Sequence, residues 1–408
     1  GSPVPNLLFV LIIGLILHNP AVAEWDVSET GQPYRDVSFE VEEGTWMSVD
    51  VSPDGRHLVF DLLGDIYTLP ASGGTARLVH GGPAIERNPR FSPDGESLLY
   101  ISDRSGSDNA WVSDSNGSNA RQLTDENVNV LAGASWATDG QSVIAARVFA
   151  VSTRRQGSEI RLYHSAGGSG RILVPTPANG RDVQEARISP DGEHLYYTQR
   201  LTDTGIVIDP NHGHFAIQRR DLATGETVEL LRGFGGAVAP QPSPDGRQLA
   251  FVRRVKDKTV LFLYDAESGE QRPVYDDLDR DLQADFVQQG TYYPPYNWFP
   301  DNRHIAIWGK GRLFRIDTRT GDASEIPFHV KVQQRITEVP RVEHELAPSR
   351  FTARAVPQVA VQPDGDSAVF VAVGRLWRKS LPDGKPQRVS SASAVEFDPV
   401  FSADGKRL

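Results

Sequence analysis

Thr45-Trp46-Met47-Ser48-Val49-Asp50-Val51-Ser52-Pro53-Asp54-Gly55, continued by Phe60-Asp61-Leu62-Leu63-Gly64-Asp65-Ile66-Tyr67-Thr68-Leu69-Pro70, is the stretch on which the fold turns. A strand-like apolar run enters Ser52-Pro53-Asp54-Gly55, and another, His57-Leu58-Val59-Phe60, leaves it. In such a tetrapeptide Pro presets φ, Asp accepts hydrogen bonds from nearby amides, and Gly takes the left-handed conformation that closes a tight hairpin. The same turn recurs at Ser92-Pro93-Asp94-Gly95, Ala137-Thr138-Asp139-Gly140, Ser189-Pro190-Asp191-Gly192 and Ser243-Pro244-Asp245-Gly246. Looser copies follow at Phe299-Pro300-Asp301-Asn302, Gln362-Pro363-Asp364-Gly365 and Ser402-Ala403-Asp404-Gly405. Successive Asp residues stand 40, 45, 52, 54, 56, 63 and 40 positions apart.

Each turn is followed by two strand-like runs, then a Gly-rich turn such as Asn116-Gly117, Ser268-Gly269 or Thr320-Gly321, then a short closing run such as Arg121-Gln122-Leu123-Thr124. Naming the strands a to d, the Pro-Asp-Gly turn joins a to b and the Gly-rich turn joins c to d. A period near 40 residues with four short strands per unit is the signature of an all-β fold, the β-propeller of four-stranded blades. Seven repeats are complete, which predicts a seven-bladed ring. The eighth stops after strand a and its turn, so the sequence reads as a propeller truncated at its C-terminus, with more chain to follow.

Composition narrows the function. The 408 residues carry a net charge of −11 with His neutral, and no Lys/Arg run offers the basic face that a nucleic-acid backbone requires. With no cysteine, disulfides, thiolate metal sites and a Cys nucleophile are excluded. Leu7 to Leu17 is an apolar run too short to span a bilayer, and Ala21-Val22-Ala23 is a small-residue cleavage pattern. Residues 1–23 therefore read as a signal peptide and 24–408 as the exported propeller, periplasmic or secreted, with no stable membrane span after cleavage.

The a–b and c–d turns are short throughout. The extra length falls in b–c segments, Phe149 to Glu159 and Leu201 to His214, and in d–a segments, Asp276 to Tyr296 and His329 to Val356. In a meandering blade these all project from one face, and insertions gathered on one face mark the working side of a repeat protein. The candidate interaction residues on it are Arg154, Arg155, His212, His214, Asp279, Asp281, Tyr292 and Tyr293.

No catalytic, cofactor or metal site is assigned. Asp277, Asp279 and Asp281 alternate as in a calcium loop but lack its Gly and distal Glu. His212-Gly213-His214 has the spacing of a two-histidine metal motif, yet it lies inside a blade rather than at the end of a barrel strand. Glu343-His344-Glu345 reads as surface, and no Gly-x-Ser-x-Gly elbow is present.

The Thr45–Pro70 stretch resembles the N-terminal propeller of bacterial exported amidohydrolases, which join TolB-like repeats to a metal-dependent catalytic domain. Ser102-Asp103-Arg104-Ser105-Gly106, Leu162-Tyr163-His164, Leu278-Asp279-Arg280-Asp281 and Ile326-Pro327-Phe328-His329-Val330 extend the likeness, which covers roughly Trp25 to Leu408. It implies a non-catalytic module that scaffolds an amidohydrolase domain or screens its substrate. A zinc-type divalent ion is then expected only in the downstream domain. The partner is that domain or an envelope protein. Two rivals stay open: a stand-alone TolB-like interaction module of the cell envelope, and the gating propeller of a prolyl-oligopeptidase-type serine peptidase.

Overall fold

The computed structural model describes residues 26–27, 31–126, 130–152, 155–178, 182–201, 213–280, 291–339, 345, 347–391 and 393–408. The expected signal segment, residues 1–23, lies outside them. All regular elements among the described residues are β-strands, except for the turns between them. No helix there is long and apolar enough to cross a membrane. The chain forms two compact units, Gly1–Val339 and Pro340–Leu408.

Among the described residues the first unit holds six four-stranded sheets, each an antiparallel meander. The first blade comprises Val49–Val51, His57–Leu62, Asp65–Pro70 and Arg77–His80. The a strands of the next five are Glu86–Phe91, Val130–Trp136, Val183–Ile188, Val238–Pro242 and Asn297–Trp298. Inner strands are buried on both faces because a blade covers each side, so Leu58, Val59 and Phe60 are all fully enclosed. The apolar run in strand b is the sequence mark of that sandwiching.

The a–b turns form as their residues dictate. In the first, Gly55 N donates to Ser52 O (2.8 Å), with Gly55 at φ 73°. Ser52 Oγ donates to Asp54 Oδ1 (2.6 Å), Arg56 N donates to the same oxygen (3.0 Å), and His57 N donates to Ser52 Oγ (3.0 Å). The hydroxyl bond from Ser52 and the amide bond from Arg56 hold the Asp54 carboxyl below its ordinary pKa.

These turns also stack between blades. A Cβ on Gly95 would stand 3.3 Å from Pro53 of the first blade, and one on Gly55 would stand 3.0 Å from Pro300 of the sixth. The first blade therefore follows the sixth as the second follows the first. Val49 N donates to Pro295 O (2.8 Å), and one apolar cluster unites Met47, Val49 and Phe60 with Val252, Trp298, Ile307 and Trp308. Six sheets succeed one another round the first unit, not the seven expected, because the sixth blade already occupies the flank of the first.

Closure is reinforced by a ribbon outside the blades. Tyr34–Val41 pairs antiparallel with Phe328–Thr337, from Tyr34 opposite Thr337 to Val41 opposite Val330. Phe328 and His329 also run parallel to Gly74 and Thr75 at the margin of the first blade. Within the clasp, Phe328, Val330 and Val332 are buried. The segment before the first blade is thus tied to the segment after the sixth.

Three of the expected loop insertions are partly strand. Ser142–Ser152 and Arg155–His164 form a long hairpin across 149–159, Gln271–Arg280 runs into 276–296, and the clasp takes the start of 329–356. Long strands rather than loops absorb the extra residues because their backbone groups pair with one another.

The second unit contains the seventh four-stranded sheet: Val359–Val361, Ser367–Ala372, Arg375–Ser380 and Gln387–Arg388. The eighth repeat supplies its turn, in which Ser402 Oγ donates to Asp404 Oδ1 (2.6 Å). It lies beside the seventh: Asp398 N donates to Gln358 Oε1 (2.9 Å), and a Cβ on Gly405 would stand 3.3 Å from Pro363.

Candidate functional site: the mouth of the ring

Four residues before each turn Asp, strand a of the six blades carries Asp50, Arg90, Ser135, Arg187, Gln241 and Asn297. Register places them at equivalent positions, and all six line one cavity of about 500 Å³. They are hydrogen-bonded into a belt. Arg90 Nη1 and Asn297 Nδ2 donate to Asp50 Oδ1 (3.1 and 2.6 Å), and Phe91 N donates to Asp50 Oδ2 (2.8 Å). Gln241 Nε2 donates to Asn297 Oδ1 (2.8 Å), and Arg187 Nε donates to Gln241 Oε1 (2.9 Å). Ser135 Oγ donates to the backbone oxygen of Ala186 (3.1 Å).

The rim above the belt is apolar. Pro53, Pro93, Pro190, Pro244 and Pro300 come from five of the turns, joined by Phe91, Trp136, Ile188 and Trp298. The indoles are anchored: Trp298 Nε1 donates to Gln241 O (3.0 Å) and Trp136 Nε1 to Arg90 O (3.4 Å). The turn proline therefore has two jobs, setting φ and walling the mouth. A smaller cavity shares Arg187 and Gln241 with the first and is otherwise lined by Glu185, Tyr293 and Tyr296 among others.

Two guanidiniums and one carboxylate make the belt cationic. Burial, then the charge of Arg90, lowers Arg187 to a pKa of about 9. Glu185, close by, is fully committed. It accepts from Thr198 Oγ1 (2.6 Å) and Ala239 N (2.8 Å) on one oxygen, and from Tyr292 N (2.6 Å) and Tyr293 N (3.3 Å) on the other. Burial raises its pKa in spite of these donors.

The aromatic run expected on the interaction face is spent on this brace. Tyr293 is buried with its hydroxyl donating to Trp308 O (2.5 Å), and Tyr292 packs on Phe215 at 4.3 Å between ring centres. His214 is buried edge-on to Phe215, and Asp279 is half-buried in Gln271–Arg280, accepting from Arg280 N (2.7 Å). Arg154, His212 and Asp281 lie outside the described residues, and Arg155 is placed only as the first residue of Arg155–His164. None of the described four lines the mouth cavity.

On the opposite face, where b–c and d–a connections emerge, a cleft of about 900 Å³ lies between the clasp and the first two blades, lined by Phe39, Trp46, Asp61, Leu63, Ile85 and Glu86 among others. Burial raises Asp61 to about 6 and Glu86 to about 7. Asp61 is structural: it accepts from Ser48 N (2.8 Å) and Asn88 N (2.7 Å). Among the described residues, Asp191, Glu193 and His194 are close enough to share a metal ion. Asp191 already accepts from Ser189 Oγ and Glu193 N, the ordinary bonds of its turn, which explain the cluster without an ion.

Sequence reading missed the mouth because it followed long loops, whereas the mouth is built from short ones. The signal lay in the column four residues before each turn Asp.

Comparison with known proteins bears on the fold. The TolB beta propeller domain matches residues 32–209. Tricorn protease homolog 1 of Streptomyces coelicolor is 31% identical over 344 residues, 83% of this chain and 24% of that protein. The uncharacterized peptidase YuxL of Bacillus subtilis is 25% identical over 227 residues, 55% of this chain and 29% of that one. The chain thus spans less than a third of either relative. The crystal structure of TolB from Acinetobacter baumannii superposes with a TM-score of 0.50 at 15% identity, covering 76% of this chain and 69% of that one. The chain carries a TolB-like β-propeller.

Proposed function

We propose that this chain is the non-catalytic recognition module of a longer, exported hydrolase, and that it presents ligand or substrate at the mouth of its ring. The observation that carries the reading is the mouth itself, where six repeats each contribute one polar side chain to a belt beneath an apolar rim. Pockets of this size and make-up, apolar walls with a few fixed polar groups, suit small ligands and chain ends. Two relatives with peptidase or protease in their names, each much longer than the match, support a hydrolase parent. The apolar run Leu7 to Leu17 with Ala21-Val22-Ala23 supports export to the periplasm or beyond.

The likeness of Thr45–Pro70 to exported amidohydrolases makes a zinc-type amidohydrolase the partner domain of this proposal. The peptidase relatives favour a second reading, a serine peptidase. Two measurements test the whole. An antibody against residues 31–339 should detect a native protein well above 44.8 kDa in the host envelope fraction; a native band at or below that mass sinks the parent. Activity of that native protein should then fall to a chelator in the first reading and to a fluorophosphonate in the second. Residues 24–408 alone, given zinc or manganese, should hydrolyse neither amides nor dipeptides; turnover there removes the non-catalytic role.

A further inference from the structure

Arg90 has an unusual position among the arginines of the ring. Its side chain is 5% exposed and lines the mouth cavity. Nη1 is occupied, donating to Asp50 Oδ1 (3.1 Å) and to Tyr296 O (3.2 Å). Nε and Nη2 make no hydrogen bond and are closed to solvent in this structure, so a ligand in the cavity reaches them only with a shift of the Arg90 side chain or of its cover. These two atoms form one edge of the guanidinium plane, the pair of parallel donors that fits the two oxygens of a carboxylate. An arginine edge left without an acceptor in a buried setting is costly, so it points to an acceptor that arrives from outside.

The surroundings favour an anion. Asp50, the one carboxylate of the belt, already accepts three donors. Arg187 adds a second buried positive charge, and Glu185 is saturated by four donors on another side. Low local polarity strengthens an ion pair formed there. The rim adds the second half of the specificity. Five turn prolines, two tryptophans and Phe91 offer apolar surface to whatever carries the anion.

Resting on the recognition role above, we propose that the mouth binds a carboxylate carried on an apolar stem, with the carboxylate paired to the Nε–Nη2 edge of Arg90 and the stem against the proline and tryptophan rim. A peptide C-terminus ending in an aliphatic residue and a free aliphatic acid share this chemistry.

The test uses the fluorescence of Trp136 and Trp298, with calorimetry as a check, on residues 24–408. The probes are acetyl-Ala-Ala-Leu, its C-terminal amide, and 4-methylpentanoate. The free-acid peptide should bind at least tenfold more tightly than the amide. If 4-methylpentanoate matches the peptide acid, the source is a small acid; if it binds more weakly, the source is a chain end. Arg90→Lys keeps a charge beside Asp50 but loses the two-donor edge, and should weaken the free acid at least tenfold while leaving the amide unchanged. Arg90→Gln should do the same; its melting curve reports whether the ring survives. Equal binding of acid and amide, unchanged acid binding in Arg90→Lys, or no acid binding at millimolar concentration overturns the proposal. None of these touches the hydrolase parent, which stands or falls on the native mass and inhibitor profile.

Discussion

The first and seventh blades begin with nearly the same words, Val49-Asp50-Val51-Ser52-Pro53-Asp54-Gly55 and Val359-Ala360-Val361-Gln362-Pro363-Asp364-Gly365. Both make a four-stranded antiparallel sheet with the same turn. Yet Val49 and Val51 are 0% and 5% exposed, whereas Val359 and Val361 are 59% and 56% exposed. The lesson is that the repeat encodes a blade, and neighbouring blades encode its burial. Local turn chemistry is common to both; the apolar core belongs to the ring.

The widest gap should appear on placing a charge in each first strand. Val49→Asp buries an unpaired carboxylate between blades and should cost about 4 kcal/mol or more, while Val359→Asp should stay within about 0.5 kcal/mol. Urea unfolding of both variants checks this, and comparable losses would erase the distinction. One position further on, Asp50→Ala strips Arg90 of its buried partner and should cost about 3–5 kcal/mol. Ala360→Asp, which writes the first blade's residue into the seventh, should change little by the same measurement.

The two units share one kind of pH response and differ in a second. Glu86 is buried, and desolvation lifts its folded pKa to about 7 from an ordinary 4.5, even with Arg104 at 2.7 Å. A folded acid that holds its proton more tightly than the unfolded one stabilises the fold at low pH. That contribution falls away as pH rises from about 4.5 to about 7. Glu86→Gln should therefore reduce the loss of stability of the first unit between pH 4.5 and 7.5 by about 2 kcal/mol. The turn carboxylates of both units, Asp54 and Asp94 in the first and Asp404 in the second, are held below their ordinary values, chiefly by the hydroxyls of Ser52, Ser92 and Ser402, so their contribution has the opposite sign and is lost toward acid pH. Unfolding of the unsubstituted protein and of Glu86→Gln followed at several pH values checks this; an unchanged pH dependence in the variant would contradict it.

The smallest effect should be shared. Ser52→Ala and Ser402→Ala remove the same two hydrogen bonds, one to the turn Asp and one from the amide five residues on. Each should cost about 1 kcal/mol, read as faster amide exchange at His57 and Arg407. A much larger loss at Ser52 would mean that burial does reach the turn.

The blade was legible because a hairpin turn is local: Pro, Asp and Gly act on their own backbone, and Asn302 stands in for Gly at φ 54° as expected of Asn. The count of blades in the ring was not, since closure depends on residues some 250 positions apart, such as Asp50 and Asn297. Two clues were present. The longest spacing, 63 residues, separates Asp301 from Asp364, where the clasp strand is inserted. The position four before the turn Asp is polar in six repeats but Ala360 and Val400 in the last two. At Tyr292 and Tyr293 a run of aromatics next to Pro294-Pro295 fits a brace as well as a surface, and the structure adds the carboxylate of Glu185, which accepts from both backbone amides.

The ribbon of Tyr34–Val41 with Phe328–Thr337 makes the two ends of the ring neighbours, so topologically the first unit is a circle drawn with an open string. A ribosome cannot finish that circle until Thr337 has been made, and the first blade must wait with one flank bare while five others are synthesised. Conversely, once the ends are tied, a single nick in an a–b turn far from the ribbon creates two new ends without opening the circle. A circularly permuted version that joins the ribbon's two strands by a short hairpin and starts at such a turn should therefore bury its first blade early.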